Sequence, residues 1–205
     1  NGRIMSTVQV DAINESTTNA GVTVDGVLIK DSKIGGTITV PSSTGTMALT
    51  SDITSGLSSA QTFRLTAGIG GNVDQHIASN WEVPDTENQG NMGSVVSESS
   101  GVFTFSETGF YLIFAQGSTI SNGAGNVTIE VYITNDNSTY TQVTDARHYG
   151  TNMNDSTFAH TIIDVTNVSN DKVKFYADVD RSDCELRGST TQNLTCVSFI
   201  KLGAT

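Results

Sequence analysis

Three histidines, His76, His148 and His160, are the first residues to examine for acid–base chemistry. Ser and Asp abound throughout the chain, so a Ser/His/Asp set would need a mutual geometry that spacing alone does not supply. No G-x-S-x-G elbow, His-Glu-x-x-His pair or Gly-rich phosphate loop is present. His160 lies in a strand-like segment and reads as packed or interfacial. No catalytic residue emerges, and the chain is not expected to be an enzyme.

The carboxylates Asp178, Asp180 and Asp183 cluster in DVDRSD, just after a strand. A loop with that spacing could offer oxygens to Ca²⁺, which takes six to eight. Arg181 interrupts the cluster and no Glu closes it, so a solvated acidic turn is the competing reading. Calcium is the sole cofactor considered. Trp81, in HIASNWEVPD with His76 and Pro84, suits either a sugar-stacking platform or a plug closing a sandwich. Tyr140, Arg147, His148 and Tyr149 read as loop-tip residues of TNDNSTYTQVTDARHYG, a mixture suited to polar ligand contacts or to ordinary exposed turns. Cys184 and Cys196 flank a Gly-Ser-Thr-rich turn, which leaves a hairpin disulfide and two buried thiols both open.

Composition narrows the class of molecule that must position these residues. The 205 residues suffice for one domain plus an appendage, and the net charge is −11. No Lys or Arg occurs between Arg64 and Arg147. Nucleic acid normally meets a basic face, so it is not an expected partner. No apolar run approaches the roughly 20 residues of a membrane span, so membrane insertion is not expected. No secretory signal is visible, an observation of little weight because the chain opens on Asn1. Several Asn-x-Ser/Thr sequons follow from the composition, and two lie in strand-like segments where a glycan fits badly.

The elements follow from hydrophobic periodicity. In Asn126–Thr134 (NVTIEVYIT), Val127, Ile129, Val131 and Ile133 share one face while Thr128, Glu130 and Tyr132 share the other. Lys172–Val179 repeats that alternation, with Val173, Phe175, Ala177 and Val179 inward. Gly109–Gln116 (GFYLIFAQ) is apolar on both faces, so it is either central in a sandwich or pressed against another subunit. Val102–Phe105, Phe158–Val165 and Leu194–Leu202 complete the expected core strands. The leading part differs. From Gly21 to Ile53, short apolar pieces are broken by Gly26, Asp31, Gly35, Gly36, Pro41 and Gly45. Strand pairs so short are marginal in water, and they gain stability when several copies wind together. An oligomeric stalk is therefore expected over 21–60, preceded by an extended segment at 1–20.

Residues 101–114 (GVFTFSETGFYLIF) resemble the signature of the complement-globular-head and tumour-necrosis-factor jelly rolls, through Phe103, Phe105, Gly109, Tyr111, Ile113 and Phe114. Val168–Phe175 is similar to that family's late turn and strand, with Asn170, a residue tolerant of left-handed turns, where the family has Gly. Ser189–Leu202, bearing Phe199, resembles its final turn and strand. This resemblance spans about 61–203. It implies an all-β fold, a ten-stranded-type jelly-roll sandwich at 61–205 that trimerises about an apolar axis. Phe103, Phe105, Tyr111, Ile113, Phe114 and Phe199 are then the residues of core or axis. A neighbouring subunit could also add ligands to the Asp178 cluster. Gly21–Ile34 and Pro41–Ile53 resemble linkers in tail fibres and other fibrous virion proteins of bacteriophages.

Together these imply a homotrimeric fibre or spike of a tailed phage, located on the virion. Its N-terminal part would contact other virion proteins and its knob a host-surface glycan or protein. A capsid-bound head fibre or decoration protein fits the same plan. A secreted complement-head-like binding module is a further alternative, although neither a Gly-X-Y repeat nor a sustained heptad is visible. A polysaccharide depolymerase would need a longer repetitive fold with paired acids.

Overall fold

The computed structural model describes residues 57–205 and three short strands near the N-terminus: β1 (Val22–Val24), β2 (Val27–Lys30) and β3 (Lys33–Gly35). Contacts divide the chain into Asn1–Ser55 and Gly56–Thr205. In the first unit the strands pair antiparallel in sequence order, with Val22 opposite Ile29 and Leu28 opposite Gly35. The expected segment 1–20, and the rest of the expected stalk up to residue 56, lie outside the described residues.

The second unit begins with β4 (Ser59–Leu65), β5 (Ile69–Gly70), β6 (Val73–His76), β7 (Trp81–Glu82), β8 (Val96–Ser99) and β9 (Val102–Phe105). The long strands follow: β10 (Gly109–Ser121), β11 (Gly125–Thr134), β12 (Thr141–Gly150) and β13 (Met153–Val165). Then come β14 (Lys172–Val179), β15 (Cys184–Leu186) and β16 (Cys196–Gly203). There is no helix among the described residues, and so none long and apolar enough to cross a membrane.

These strands form two antiparallel sheets. In the first, β10 is central: β13 pairs with one side, and β16 and β15 share the other. The order continues from β16 to β4 and β7, and from β15 to β5. The second runs β12–β11–β14–β9–β8, with β6 beside β9 on the same flank of β14. The inward faces meet in one core. Phe63, Phe103, Phe105, Tyr111, Phe175 and Phe199 are all buried there. Phe103 packs edge-on to Phe63 and to Phe175, each at 5.2 Å, and Phe105 lies 4.7 Å from Tyr111, geometries that aromatic quadrupoles favour.

Local sequence explains the joints. Ser100 (φ 52°) and Gly101 (φ 74°) close the β8–β9 hairpin as the two-residue turn whose residues both need positive φ. Asp136 closes β11, its Oδ1 accepting from the amides of Ser138 and Thr139 and from the Thr134 hydroxyl. Those bonds hold its carboxyl far below the ordinary aspartate range. In the 166–171 turn, Asn170 is not left-handed. The turn is held by Asp171, whose Oδ2 accepts from the amides of Thr166 and Asn167.

Several elements differ from expectation. Thr141–Gly150, expected near loop tips, is a full strand, because pairing with β11 fixes an edge that its polar composition conceals. The strands around Gly109–Gln116 and Phe158–Val165 extend to Ser121 and back to Met153, where both pair through the Ser/Thr-rich ends. Thr128 and Glu130, on the outward side of β11, are nevertheless buried.

Candidate functional site

The outward face of the first sheet carries an apolar patch, which the exposed His160 and Asp164 of β13 interrupt. Along β10 the odd positions Tyr111, Ile113 and Ala115 are fully buried, whereas Phe110 is 40% and Phe114 36% exposed. Register places Phe110 opposite Asp164, Leu112 opposite Ile162, Phe114 opposite His160 and Gln116 opposite Phe158 on β13. Phe158 and Ile162 are 56% and 60% exposed, and the Phe158 ring lies 5.5 Å from that of Phe114. On the other side, Leu112 faces Ile200 of β16, and Leu202 is also exposed. The aromatics expected at core or axis therefore separate by strand parity. Phe103, Phe105, Tyr111, Ile113 and Phe199 lie in the core between the sheets, and of these expected residues Phe114 alone faces out.

The same face ends at β4, where Arg64 is covered. Its side chain is completely buried: Nε bonds Glu82 at 2.5 Å, one terminal nitrogen meets Asp85 at 2.8 Å, and the other donates to Thr86. Next to this, Ala60 exchanges backbone hydrogen bonds with Met92, and Asn91 Oδ1 accepts from the Thr62 amide. The segment 81–92 thus closes one margin of the sheet and leaves the β13–β10–β16 side open. A cleft of about 570 Å³ continues this surface toward β12, lined in part by Ile133, Val143, Ile162, Asp164 and Lys172.

The proposed ligand residues do not converge. Trp81 is in β7, where its ring packs on Phe103 (5.5 Å) and Phe175 (5.8 Å) and its Nε1 donates to Ile77 O. That placement matches the plug. Tyr140 precedes β12 with Lys174 Nζ 3.9 Å above its ring. Arg147 points outward beside Asp145 (3.6 Å), and Tyr149 is 70% exposed. His148 is on the opposite side of β12, largely buried, with its Nε2 3.9 Å from Asp155 and no hydrogen-bond partner. His76 Nε2 meets Gly101 O, and His160 is exposed on β13.

The acidic turn spends its carboxylates locally. Asp183 pairs with Arg181 at 2.8 Å, Asp180 accepts from the Asn126 amide, and Asp178 from the Asn126 side chain. Among the described residues no three such groups are gathered as a metal site. Cys184 and Cys196 are free thiols. They lie opposite Ser121 and Gln116 on β10, five residues or roughly 17 Å apart along that strand. Burial pushes the Cys196 thiol up to about 11.

The outward side of the second sheet, which also carries Arg147 and Tyr149, holds a cluster that the sequence does not single out. Tyr132 and Tyr176 stack there with ring centroids 4.3 Å apart, and His76 lies 5.5 Å from Tyr176. Between them and β12, Glu130 is 8% exposed and accepts from Gln142 Nε2 at 3.2 Å. Burial, then the carboxylates of Asp74 and Asp178, raise its carboxyl above the ordinary glutamate value. Three of the chain's five tyrosines occupy this neighbourhood, a bias visible only once the strands are aligned.

This architecture defines a TNF-like jelly roll. Murine APRIL has the same fold: its structure at pH 5.0 aligns with a TM-score of 0.51 and 11% identity, covering 70% of this chain and 98% of that one. Two looser matches are Eiger TNF from S. frugiperda (TM-score 0.47, 12% identity, 71% and 93% covered) and PRD1 vertex protein P5 (0.48, 16%, 73% and 100%). Both are too distant to bear on function. No family model matches the chain, and no curated protein matches it in sequence.

Proposed function

We propose that this protein is a non-catalytic, homotrimeric knob on a virion: a fibre or spike of a tailed bacteriophage, carried outward on the particle. The segment 1–20 anchors it to other virion proteins, 21–60 forms the stalk, and 61–205 meets a host-surface glycan or protein. The observation that carries this reading is the open apolar face of Phe110, Leu112, Phe114, Phe158 and Ile162. An exposed patch of aromatics and aliphatics on an otherwise acidic surface marks a contact with another protein. The two-sided apolarity of β10 is accounted for if one side serves the core and the other a second copy. The stalk supports the virion assignment through its resemblance to phage linkers at Gly21–Ile34 and Pro41–Ile53. A trimer also gives three weak surface contacts on one axis, so that avidity replaces tight single binding.

Light scattering on the full chain tests the assembly. The expected mass is about 65 kDa, three times the 21.6 kDa chain. A 21.6 kDa species at micromolar concentration refutes the trimer. Antibody labelling of intact particles tests location, and labelling absent from the particle surface removes the virion assignment.

A further inference from the structure

The outward side of the second sheet is organised in rows. Strand registers align His76, Tyr176, Glu130 and Asp145 in one, Asp74, Asp178, Thr128 and Arg147 in the next, and Lys174, Tyr132 and Gln142 in a third. Tyr132, Tyr140 and Tyr176 are only partly exposed, covered by one another and by Lys174 rather than by the core. Glu130, held by Gln142, sits among them as a nearly buried acceptor.

That combination has a specific chemistry. Tyrosine rings present apolar surface with a hydroxyl at its rim. A carboxylate, an amide and a guanidinium beside them supply acceptors and donors at fixed spacing. A polyhydroxyl ring needs both: contact for its C–H face and bidentate partners for neighbouring hydroxyls. Charge narrows the choice. Asp74, Glu130, Asp145 and Asp178 outnumber Lys174 and Arg147, so an anionic sugar would be repelled. The location also fits. These residues are on the opposite sheet from the apolar face, so assembly through the first sheet leaves them uncovered.

We propose that the Tyr132–Tyr176 pair, with Glu130, Gln142 and Arg147, forms a binding platform for an uncharged oligosaccharide. The proposal rests on the surface-binding reading above and names the ligand class and the face.

The full-length protein, its mass checked by light scattering, is applied to an array of neutral glucans, mannans and N-acetylhexosamine oligomers. Uronate-rich and sialylated chains and polylysine are printed beside them. Retention is expected on one or more neutral glycans and on none of the others. Tyr176→Ser and Gln142→Ala should each weaken it about tenfold without changing mass or circular dichroism. Should Tyr176→Ser fold poorly, the exposed Gln142 still decides the matter. Undiminished retention by Gln142→Ala, retention confined to uronates, sialylated chains or polylysine, or no retention at all overturns the proposal. The two failures are separable: a trimer that retains nothing removes this platform alone, whereas a monomeric mass removes the trimeric knob whatever the array shows.

Discussion

Replacing Phe158 by Ser tests the assembly where it is most exposed to refutation. A phenylalanine side chain presents about 200 Å², and Phe158 leaves 56% of its surface open in the isolated subunit. Burying that remainder against a second copy removes about 110 Å² from water, or about 3 kcal/mol per subunit at ~25 cal/mol per Å². Three equivalent sites give about 8 kcal/mol, roughly six powers of ten in the three-body association constant. Within its own subunit Phe158 stacks only on Phe114 among the aromatics, so the folded monomer should lose little. Sedimentation equilibrium at micromolar concentration should show the wild type near 65 kDa and the variant at 21.6 kDa, with unchanged circular dichroism. Tyr149→Ser is the control: that residue is 70% exposed, but on β12 in the second sheet, and its loss should leave the mass unchanged. A Phe158→Ser protein that stays trimeric with wild-type affinity would show that this face is not the contact.

Two further outcomes concern the single subunit. The Glu130 carboxyl is raised in the folded protein by burial and by Asp74 and Asp178, so the native state holds its proton more tightly than the unfolded chain. Stability from this residue is therefore greatest below the ordinary glutamate range and falls as pH rises from there through the raised value. Glu130→Gln, whose Oε1 can still accept from Gln142, should raise the melting temperature at pH 7 and lose its advantage in acid; equal melting temperatures at pH 7 would contradict this. Gly101→Ala should cost about 2 kcal/mol or more in urea titration, because φ is +74° and an added Cβ would meet Ile77 O at 2.1 Å; an unchanged midpoint would refute the turn geometry.

What could be read in the sequence was the part that depends on period alone. Lys172–Val179 alternates strictly, and its buried and half-buried residues follow that alternation without exception. Val102–Phe105 has the expected bounds. The resemblance around Phe103 to Phe114 led to the jelly roll. What stayed hidden depends on pairing. β12 carries Thr, Gln, Asp, Arg and His and shows no apolar stripe, yet β11 pairs with it from Thr141 to Gly150, with one bulge at Val143. Arg64 gave no signal at all, because its acidic partners Glu82 and Asp85 come from a segment that only the fold lays beside β4. Phe114 could not be told from Tyr111 and Ile113 as a class of residue; one position of strand parity separates them.

The two outward faces explain one another. A sandwich that needed only a core would alternate along β10 as it does along β14, and its outer sheets would carry interchangeable Ser, Thr and Lys. Instead the first sheet turns Phe110, Leu112, Phe114, Phe158 and Ile162 outward, at a cost in solubility that an acidic chain of net charge −11 can offset. The second sheet concentrates tyrosines and carboxylates on its outward side, including Glu130 held where its ionisation is disfavoured. Neither departure helps a lone subunit fold. Each makes sense if the first face is consumed by assembly and the second is kept for a ligand. Because the faces are separated by the whole core and share no side chain, their substitutions should act independently: dissociating the trimer at Phe158 should leave the intrinsic affinity of each platform intact and remove only the avidity that three of them confer.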